Sequence, residues 1–434
     1  MNIAGKRVVI YGVGVSGLSA YQLVREHGGH AVIYDDDPAK PHATSCTSVF
    51  DDCDVIVLSP GIASGNPHVL DARLSGKTVI SELELASAFC VAEQIAVTGT
   101  NGKTTTVLLI DHILKTAKHN SHAVGNIGAA FSSIADKLDA METVVIEASS
   151  FQLESATFFS PDIAVMLNIT PDHLERHGSL QRYISAKAKI FLRQSECDKA
   201  VFNADDPNVS ALQSVMRAEK IPFSLTHPVD GAYVSSGFLC YRGKPVVETC
   251  ELDFGGRELE NALAAVAVTA SKGISLYTIT AGLLSFKRPE FRRKACGVVG
   301  GVNVFNDSKA TNVFSTVSAS ESMDGDTVLI LGGAQRAENF DELFDNLPAK
   351  VKGAVVVGEN ADNIMSAARN AGFSDILRSF SLEDACADAL DMAHRLGCKN
   401  VLFSPSSKSY DNYTSYYERG RAFDAAVSAI SRRK

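Results

Sequence analysis

The sequence predicts an α/β protein with three doubly wound domains whose sheets are mainly parallel. Short β-rich runs such as RVVIYG, QIAVTG and TVLILGG alternate with helical stretches along the chain, which is typical of parallel sheets. A strand followed by a polar or glycine-rich loop and a helix recurs in three separate regions. A chain of 434 residues is too long to form a single hydrophobic core. We place its domains at residues 1–90, 91–288 and 289–434.

The composition favours a water-soluble protein of the cytoplasm. Apolar residues make up 45% and charged residues 21%, and no apolar run approaches the ~20 residues of a membrane span. Nine cysteines without a CxxC pair suggest neither a disulfide framework nor a zinc site. A net charge of -9 argues against a nucleic-acid surface. We therefore expect small-molecule partners, no nucleic acid and no membrane span.

The stretch IAVTGTNGKTTT, Ile95 to Thr106, has the character of a phosphate-binding loop. It lies between a predicted strand and a predicted helix, so backbone N–H groups of residues 99–104 and the helix N-terminus can bind phosphate oxygens. Lys103 can reach the β- and γ-phosphates, and the Thr104 hydroxyl can bind Mg²⁺. The loop is shorter than the usual GxxxxGK. The alternative is a glycine turn before an ordinary helix.

Two later strands end in polar side chains that can converge on this loop. TVVIE ends at Glu147, and IAVMLN ends at Asn168 and is followed by His173. Ligands of open α/β sheets collect at the carboxyl ends of strands, and carboxylate and hydroxyl oxygens suit Mg²⁺. Alternatively, Glu147 is a solvated strand end and His173 a neighbour of a helix cap.

Lys187 lies on the apolar face of the predicted helix SLQRYISAKAKIFLRQ. A buried ammonium is costly without a partner. Either Lys187 pairs with a carboxylate, or CO₂ converts it to a carbamate, an anionic oxygen ligand able to share a second Mg²⁺ with His173.

The third region repeats the arrangement of polar loops at strand ends. FNDSKATN brings Asp307 and Thr311 to the predicted sheet edge, VLILGGAQR brings Arg336, and the loop after NVLFSP brings Ser409. Three such loops on one edge indicate a ligand site, although a single loop of this kind is more often a helix cap.

The amino terminus carries GxGxxG after a strand, with Gly12, Gly14 and Gly17 followed by the acidic run Asp35 to Asp37. This pattern is typical of a Rossmann-like domain that binds a diphosphate and a ribose hydroxyl. NAD and a UDP-sugar each contain a diphosphate and a ribose hydroxyl, so either ligand fits this pattern. A dehydrogenase would explain this domain alone, and no hydride-transfer site accompanies it.

Over essentially its whole length the chain resembles the Mur ligase family, most closely the branch that adds D-glutamate to UDP-N-acetylmuramoyl-L-alanine. The resemblance lies in ten motifs in order: GVGVSG, SPGI, GTNGKTTT, GNIG, EASSFQLE, NITPDHLERHG, YISAKAKIF, ENALAA, NDSKATN and SPSSKSYDNY with YERG. It implies a cytoplasmic, monomeric, ADP-forming ligase with a Rossmann-like UDP domain, a P-loop-type central ATPase domain and a Rossmann-like amino-acid domain.

The resemblance also implies roles for individual residues. The catalytic set is Lys103, Glu147, His173 and Lys187. The metal ligands are Thr104, Glu147, His173 and carbamylated Lys187. The ATP contacts are Gly99, Thr100, Asn101, Gly102, Lys103, Thr104, Thr105, Asn261, Arg292 and Asp307. The UDP-substrate contacts are Val15, Ser16, Asp35, Asp36, Ser59, Gly61 and Asn126. The D-glutamate contacts are Thr311, Arg336, Ser409 and Tyr416.

Five positions depart from the pattern expected of that family, among them Asp37, which stands where a basic residue is often found near the uridine site. Arg257 and Glu258 replace two polar residues near ATP, Phe291 stands where histidine is usual, and Arg336 stands for a lysine. A carboxylate beside phosphates is repulsive unless it turns away or is neutralised. Other Mur-type ligases, a folylpolyglutamate synthase relative and a non-catalytic nucleotide sensor remain alternatives.

Overall fold

The structure is a computed structural model that describes residues 1–252, 254–288, 290–335 and 340–432. The chain forms two compact units. The first unit contains Met1–Leu252 and Glu260–Phe286, and the second contains Asp253–Leu259 and Lys287–Lys434. The first unit holds two separate sheets, and the second holds one. The predicted domain boundaries near residues 90 and 288 stay predictions.

The first sheet has four parallel strands in the order β2-β1-β3-β4. Apolar side chains are buried on both of its faces, as expected for parallel strands with helices on either side. Its elements are β1 (Arg7–Tyr11), α1 (Val15–Glu26), β2 (His30–Tyr34), β3 (Val55–Leu58), α2 (Pro67–Leu74), β4 (Thr78–Ser81) and α3 (Glu82–Phe89).

The GxGxxG turn joins β1 to α1 through glycines with different steric demands. A Cβ on Gly17 would lie 1.9 Å from the carbonyl oxygen of Gly12, whereas a Cβ on Gly14 would meet nothing within 4 Å. Gly14 also has φ −67, which any residue adopts. Gly17 is therefore required for the helix to pack closely on the strand, whereas Gly14 is not.

We expect Gly17→Ala to destabilise the first unit by about 2–3 kcal/mol, because overpacking forces the helix away from the strand. Thermal unfolding followed by circular dichroism measures the effect. Gly14→Ala is the matched control, with a midpoint close to that of the parent protein. Equal midpoints for the two variants would contradict the close packing at Gly17.

The second sheet has nine strands in the order β13-β12-β11-β10-β9-β8-β5-β7-β6. Its strands are β5 (Glu93–Thr98), β6 (Ser121–Gly125), β7 (Thr143–Glu147), β8 (Ile163–Met166), β9 (Lys199–Asn203), β10 (Glu219–Ser224), β11 (Ala232–Ser235), β12 (Phe238–Tyr241) and β13 (Lys244–Glu248). The accompanying helices are α4 (Lys103–Thr116), α5 (Ser150–Glu154), α6 (Leu174–His177), α7 (Leu180–Leu192), α8 (Pro207–Ser210), α9 (Leu259–Ser271) and α10 (Leu276–Ser285).

Strands β5 to β10 of this sheet are parallel, whereas β11, β12 and β13 pair antiparallel with one another. These three strands lie at the end of the sheet opposite to β6. The phosphate loop, Glu147 and Asn168 all lie at the carboxyl ends of the neighbouring parallel strands β5, β7 and β8.

The sheet of the second unit has six strands in the order β14-β15-β19-β16-β17-β18. All are parallel except the edge strand β14, which is antiparallel to β15. The elements are β14 (Lys294–Val299), β15 (Val302–Asn306), α11 (Val313–Glu321), β16 (Thr327–Leu331), α12 (Asp341–Asn346), β17 (Val351–Val356), α13 (Ala361–Asn370), β18 (Ile376–Arg378), α14 (Leu382–Leu396), β19 (Asn400–Phe403) and α15 (Tyr416–Ser431).

The α/β class with mainly parallel sheets is thus confirmed. In the described part of the chain, every helix is too short or too polar to cross a bilayer.

Candidate functional site

The phosphate loop connects β5 to α4 in the way the sequence predicts. Gly99 and Gly102 have φ values of 153° and 85°, a region in which side chains are strained. The Lys103 ammonium folds back over the loop and donates to the carbonyl oxygens of Gly99 at 2.9 Å and Thr100 at 2.8 Å. The loop therefore presents a cation and the N-terminus of a 14-residue helix at one place.

The end of β8 holds this loop in position. The backbone N–H of Thr100 donates to the Asn168 carbonyl at 2.8 Å, and that of Asn101 donates to the Asn168 side-chain oxygen at 2.8 Å. The Thr100 hydroxyl lies 3.0 Å from the Tyr183 hydroxyl of α7. Asn168 and Tyr183 thus act on the loop although neither was among the predicted ligand contacts.

Gly102 also allows a close approach by α9. A Cβ on Gly102 would lie 2.2 Å from the side-chain oxygen of Asn261. The same Asn261 oxygen accepts a hydrogen bond from the Thr106 hydroxyl at 3.2 Å. Asn261 is therefore packed against the phosphate loop, where an ATP contact was predicted for it.

Glu147 ends β7 with its carboxylate beside the first turn of α4. It accepts a hydrogen bond from the Thr104 hydroxyl at 2.7 Å and another from the Asn126 amide at 2.9 Å. Only 2% of Glu147 is exposed. The structure thus brings together the two oxygen donors predicted to hold Mg²⁺, and places Asn126 at this end of the site.

The oxygen donors of Glu147 and Thr104 fit a magnesium ion whose other ligands are phosphate oxygens of a bound nucleotide. Among the residues described, no three His, Cys, Asp or Glu side chains are arranged to hold a metal ion by themselves. Mg²⁺ commonly uses one or two carboxylates together with substrate phosphates and water. Glu147 and Thr104, next to the loop that carries Lys103, meet that requirement.

His173 immediately precedes α6 and has a left-handed backbone conformation with φ 56°. Its ring nitrogens lie 3.6 Å from an Asp172 oxygen and 3.7 Å from a Glu175 oxygen. The ring centre is 4.7 Å from that of Phe151. The imidazole is therefore oriented by carboxylates on both sides and by an aromatic ring.

Lys187 is buried on α7, as its helical spacing predicts, with 1% of its surface exposed. Its ammonium donates to the Gly99 carbonyl at 2.7 Å and lies 3.4 Å from the Thr98 hydroxyl oxygen and 4.7 Å from the centre of the Tyr183 ring. Burial lowers the pKa of Lys187 well below its usual value, and the charge of Lys103 lowers it further. Within the described residues no ion pair of Lys187 with a carboxylate is found. The arrangement thus favours the neutral amine.

The edge of the first sheet gathers the predicted UDP-substrate residues. The Asp35 carboxylate accepts a hydrogen bond from the Val13 N–H at 3.1 Å. Asp36 instead accepts hydrogen bonds from the Tyr11 hydroxyl, at 2.8 and 2.7 Å, and from the Tyr34 hydroxyl at 3.2 Å. Burial and the Asp36 charge raise the pKa of Tyr11. Asp36 therefore orients two tyrosines at this edge.

The neighbouring turns complete that edge. Val15 is exposed and Ser16 half-buried at the start of α1. The Ser59 hydroxyl after β3 donates to the Gly12 carbonyl at 3.0 Å, and Gly61 is exposed. The predicted residues of the glycine turn and of the SPGI turn are thus adjacent.

In the second unit the predicted residues lie around the ends of β15 and β19. Asp307 accepts hydrogen bonds from the Ser404 hydroxyl at 2.9 Å and the Arg293 N–H at 3.1 Å, and burial raises its pKa to about 7. Ser409 is buried, and Tyr416, the first residue of α15, has the Lys309 ammonium 3.9 Å from its ring centre.

The other predicted residues of the second unit stand as follows. Thr311 is half-buried in the loop before α11. Arg292 lines a cleft of about 460 Å³ together with neighbouring basic residues of the 288–294 segment. Arg336 lies outside the described residues.

Arg419 joins two of these loops, although the sequence prediction gave it no role. It is 2% exposed and donates to the carbonyl oxygens of Ser407 at 2.9 Å and Ser308 at 2.7 Å. It also donates to the Ser308 hydroxyl at 3.1 Å. The only sequence signal was its place in the YERG motif three residues after Tyr416.

Two of the residues that depart from the expected family pattern, Glu258 and Phe291, have close partners within the second unit. Glu258 lies 3.0 Å from Arg288 and 3.3 Å from Arg293, so its charge is neutralised by two guanidinium groups. Phe291 is 2% exposed, and a Cβ on Gly420 would lie 2.4 Å from its ring. Phe291 thus fills the space that Gly420 leaves open.

The family model and the full-length relatives that match this chain both point to the Mur ligases. Residues 97–269 match the model of the Mur ligase middle domain. The UDP-N-acetylmuramoylalanine--D-glutamate ligase of Alkaliphilus oremlandii (strain OhILAs) is 34% identical over 456 residues, covering 100% of both chains. The ligase of the same name from Desulfitobacterium hafniense (strain Y51) is 36% identical over 448 residues, covering 98% of each.

Solved structures share the fold at lower identity. MurF ligase from Thermotoga maritima in complex with ADP has a TM-score of 0.62 at 17% identity, covering 100% of this chain and 96% of that one. UDP-N-acetylmuramate-alanine ligase MurC from Thermotoga maritima has a TM-score of 0.60 at 20% identity, covering 98% of this chain and 99% of that one. From its full-length relatives and its fold, the chain belongs to the Mur ligase family, alongside the UDP-N-acetylmuramoylalanine--D-glutamate ligases.

Proposed function

We propose that this protein is an ATP-dependent ligase that joins D-glutamate to UDP-N-acetylmuramoyl-L-alanine in peptidoglycan synthesis, releasing ADP and phosphate. Relatives with that name match the chain from end to end. The observation that carries the chemistry is the convergence of Lys103, Glu147 and buried Lys187 on the loop between β5 and α4.

The first step would activate the alanyl carboxylate, which is a poor electrophile at neutral pH. One of its oxygens attacks the γ-phosphate of ATP, so a carbon-bound oxygen forms a bond to phosphorus and ADP leaves. The Lys103 ammonium and the N–H groups at the start of α4 bind the crowded phosphate oxygens. Mg²⁺ held by Thr104 and Glu147 would neutralise further phosphate charge.

In the second step the free amine of D-glutamate attacks the carbonyl of the acyl phosphate. The amide bond forms, phosphate leaves, and the amine gives up a proton. Residues of the second unit, including Thr311, Arg336, Ser409 and Tyr416, are proposed to bind D-glutamate, and Arg292 and Asp307 to contact ATP. Val15, Ser16, Asp35, Asp36, Ser59 and Gly61 are proposed to bind the UDP part, with Asn126 and His173 near the muramoyl-alanine.

We further propose that Lys187 acts as a carbamate. Its neutral amine would attack CO₂, forming an N–C bond and releasing one proton. The product is an anionic oxygen ligand on a buried helix face next to Gly99. Together with His173 it would hold a second Mg²⁺. The enzyme is proposed to work as a monomer in the cytoplasm.

Release of ADP tests the proposed reaction directly. We expect continued release of ADP, beyond a single turnover, only when UDP-N-acetylmuramoyl-L-alanine and D-glutamate are both present, because the acyl phosphate needs an amine to capture it. A coupled ADP assay with a panel of D- and L-amino acids measures this dependence. L-glutamate serves as the matched control, since it differs from D-glutamate in configuration alone.

Other outcomes of that assay would identify the alternatives. Release of ADP with a different amino acid would indicate another Mur-type ligase. Binding of nucleotide without any release that depends on both substrates would indicate a sensor.

A further inference from the structure

Arg176 donates hydrogen bonds to three consecutive residues of the turn that follows β3. Its Nη1 donates to the carbonyl oxygen of Pro60 at 2.8 Å and of Gly61 at 3.3 Å, and its Nη2 donates to that of Ile62 at 2.8 Å. Arg176 is itself the third residue of α6, the short helix that starts after His173. One side chain therefore ties the SPGI turn to the loop that carries His173.

The guanidinium is held from two further directions. It lies 3.3 Å from a Glu154 carboxylate oxygen, and the other oxygen of that carboxylate accepts a hydrogen bond from the Ser64 hydroxyl at 2.6 Å. Its central carbon is 3.9 Å from the centre of the Phe151 ring, which also contacts His173. The side chain of Arg176 is 14% exposed. Its position is thus fixed independently of the turn that it binds.

Arginine is suited to this arrangement for a geometric reason. A planar guanidinium carries five N–H donors in a rigid fork, so it can serve a row of carbonyl oxygens and a carboxylate at once. The three donors of a lysine ammonium radiate from one atom at the end of a flexible chain. Lysine at position 176 would therefore keep the charge but satisfy only part of the turn.

We propose that Arg176 is a positioning residue that sets the separation between the SPGI turn and His173, and so aligns the UDP-N-acetylmuramoyl-L-alanine between them. This rests on the proposed function, in which Ser59 and Gly61 meet the nucleotide end of that substrate and His173 its reacting end. Without Arg176 the substrate would itself have to impose this separation when it binds, and that cost weakens its binding. Loss of Arg176 thus acts on one substrate selectively.

Steady-state kinetics of Arg176→Ala test the proposal. We expect KM for UDP-N-acetylmuramoyl-L-alanine to rise by about 10- to 100-fold, with KM for ATP changed by less than about threefold. Arg176→Lys should fall between the parent and the alanine variant. Arg182→Ala is the matched control, because Arg182 is exposed and lines the same cleft without binding the turn.

Chemical rescue separates positioning from a general loss of stability. Arg176 borders a cleft of about 640 Å³, through which added guanidinium or methylguanidinium can reach the vacated position. We expect such cations at millimolar concentration to lower KM for the UDP-substrate in Arg176→Ala, and to leave the parent enzyme unchanged. A variant impaired only in folding would not recover in this way.

An unchanged KM for the UDP-substrate in both Arg176 variants, or an equal rise in KM for ATP, would overturn the proposal. If Arg176→Ala does not fold, Arg176→Lys decides the matter by the same two KM values. Calorimetric binding of UDP-N-acetylmuramoyl-L-alanine gives the answer even without turnover. A parent enzyme that binds this substrate but forms no ADP would refute the proposed function, while weaker binding by the variant would still support the role of Arg176.

Discussion

Lys187→Ala is expected to reduce amide formation by about 10³-fold or more, because the anionic ligand proposed for the second Mg²⁺ is lost with the side chain. Bicarbonate or a small carboxylate at high concentration should restore part of the activity by occupying the space next to Gly99. Initial rates of ADP release, measured with and without added bicarbonate, test both statements. A ¹³C-bicarbonate NMR signal from a carbamate in the parent protein would support the same conclusion.

The matched control for this experiment is Lys189→Ala. Lys189 lies on the same helix, but its ammonium donates to the Glu154 carbonyl at 2.6 Å and not to the phosphate loop. We expect its rate to stay within a few-fold of the parent. A Lys187→Ala enzyme that keeps its activity, or a Lys187→Arg enzyme that does so, would remove the carbamate from the mechanism.

Glu147→Gln is expected to lower kcat by about 10²- to 10³-fold and to raise the Mg²⁺ concentration needed for half-maximal rate. The substitution keeps the size of the side chain, and the amide oxygen can still accept the hydrogen bond of Thr104. It removes the negative charge from the proposed metal ligand. A magnesium titration of the initial rate, at saturating substrates, separates the two effects.

Glu82→Gln is the control for removing a buried carboxylate. Glu82 is 1% exposed and accepts a hydrogen bond from the Ser132 N–H at 2.8 Å. Burial raises the pKa of Glu82, and its carboxylate lies away from the phosphate loop, beside Ser132. A Glu147→Gln enzyme with the magnesium dependence of Glu82→Gln would show that Glu147 does not bind the metal.

The sequence predicted the parallel strands and the central loop because both depend on local patterns. Buried parallel strands are apolar runs, and a phosphate loop needs glycines at fixed positions, as at Gly99 and Gly102. The burial of Lys187 followed from helical spacing in the same way.

Residues whose partners are backbone carbonyls were not predictable. Arg176 and Arg419 each hold loops that are distant in sequence, and any residue can supply a carbonyl oxygen. The antiparallel strands β11 to β13 were equally hard to predict, because short mixed strands lack a long apolar run. The neutralisation of Glu258 required knowing that Arg288 and Arg293 lie beside it.

The contact between Phe291 and Gly420 constrains how this enzyme can diverge. A benzyl group at 291 is tolerated only while position 420 has no side chain, because even one methyl there would overlap the ring. The two sites are therefore epistatic, and in an evolving lineage glycine at 420 has to be present before phenylalanine arrives at 291. Replacing Phe291 by a smaller residue would lift this restriction and allow side chains at 420 that are excluded while Phe291 is present.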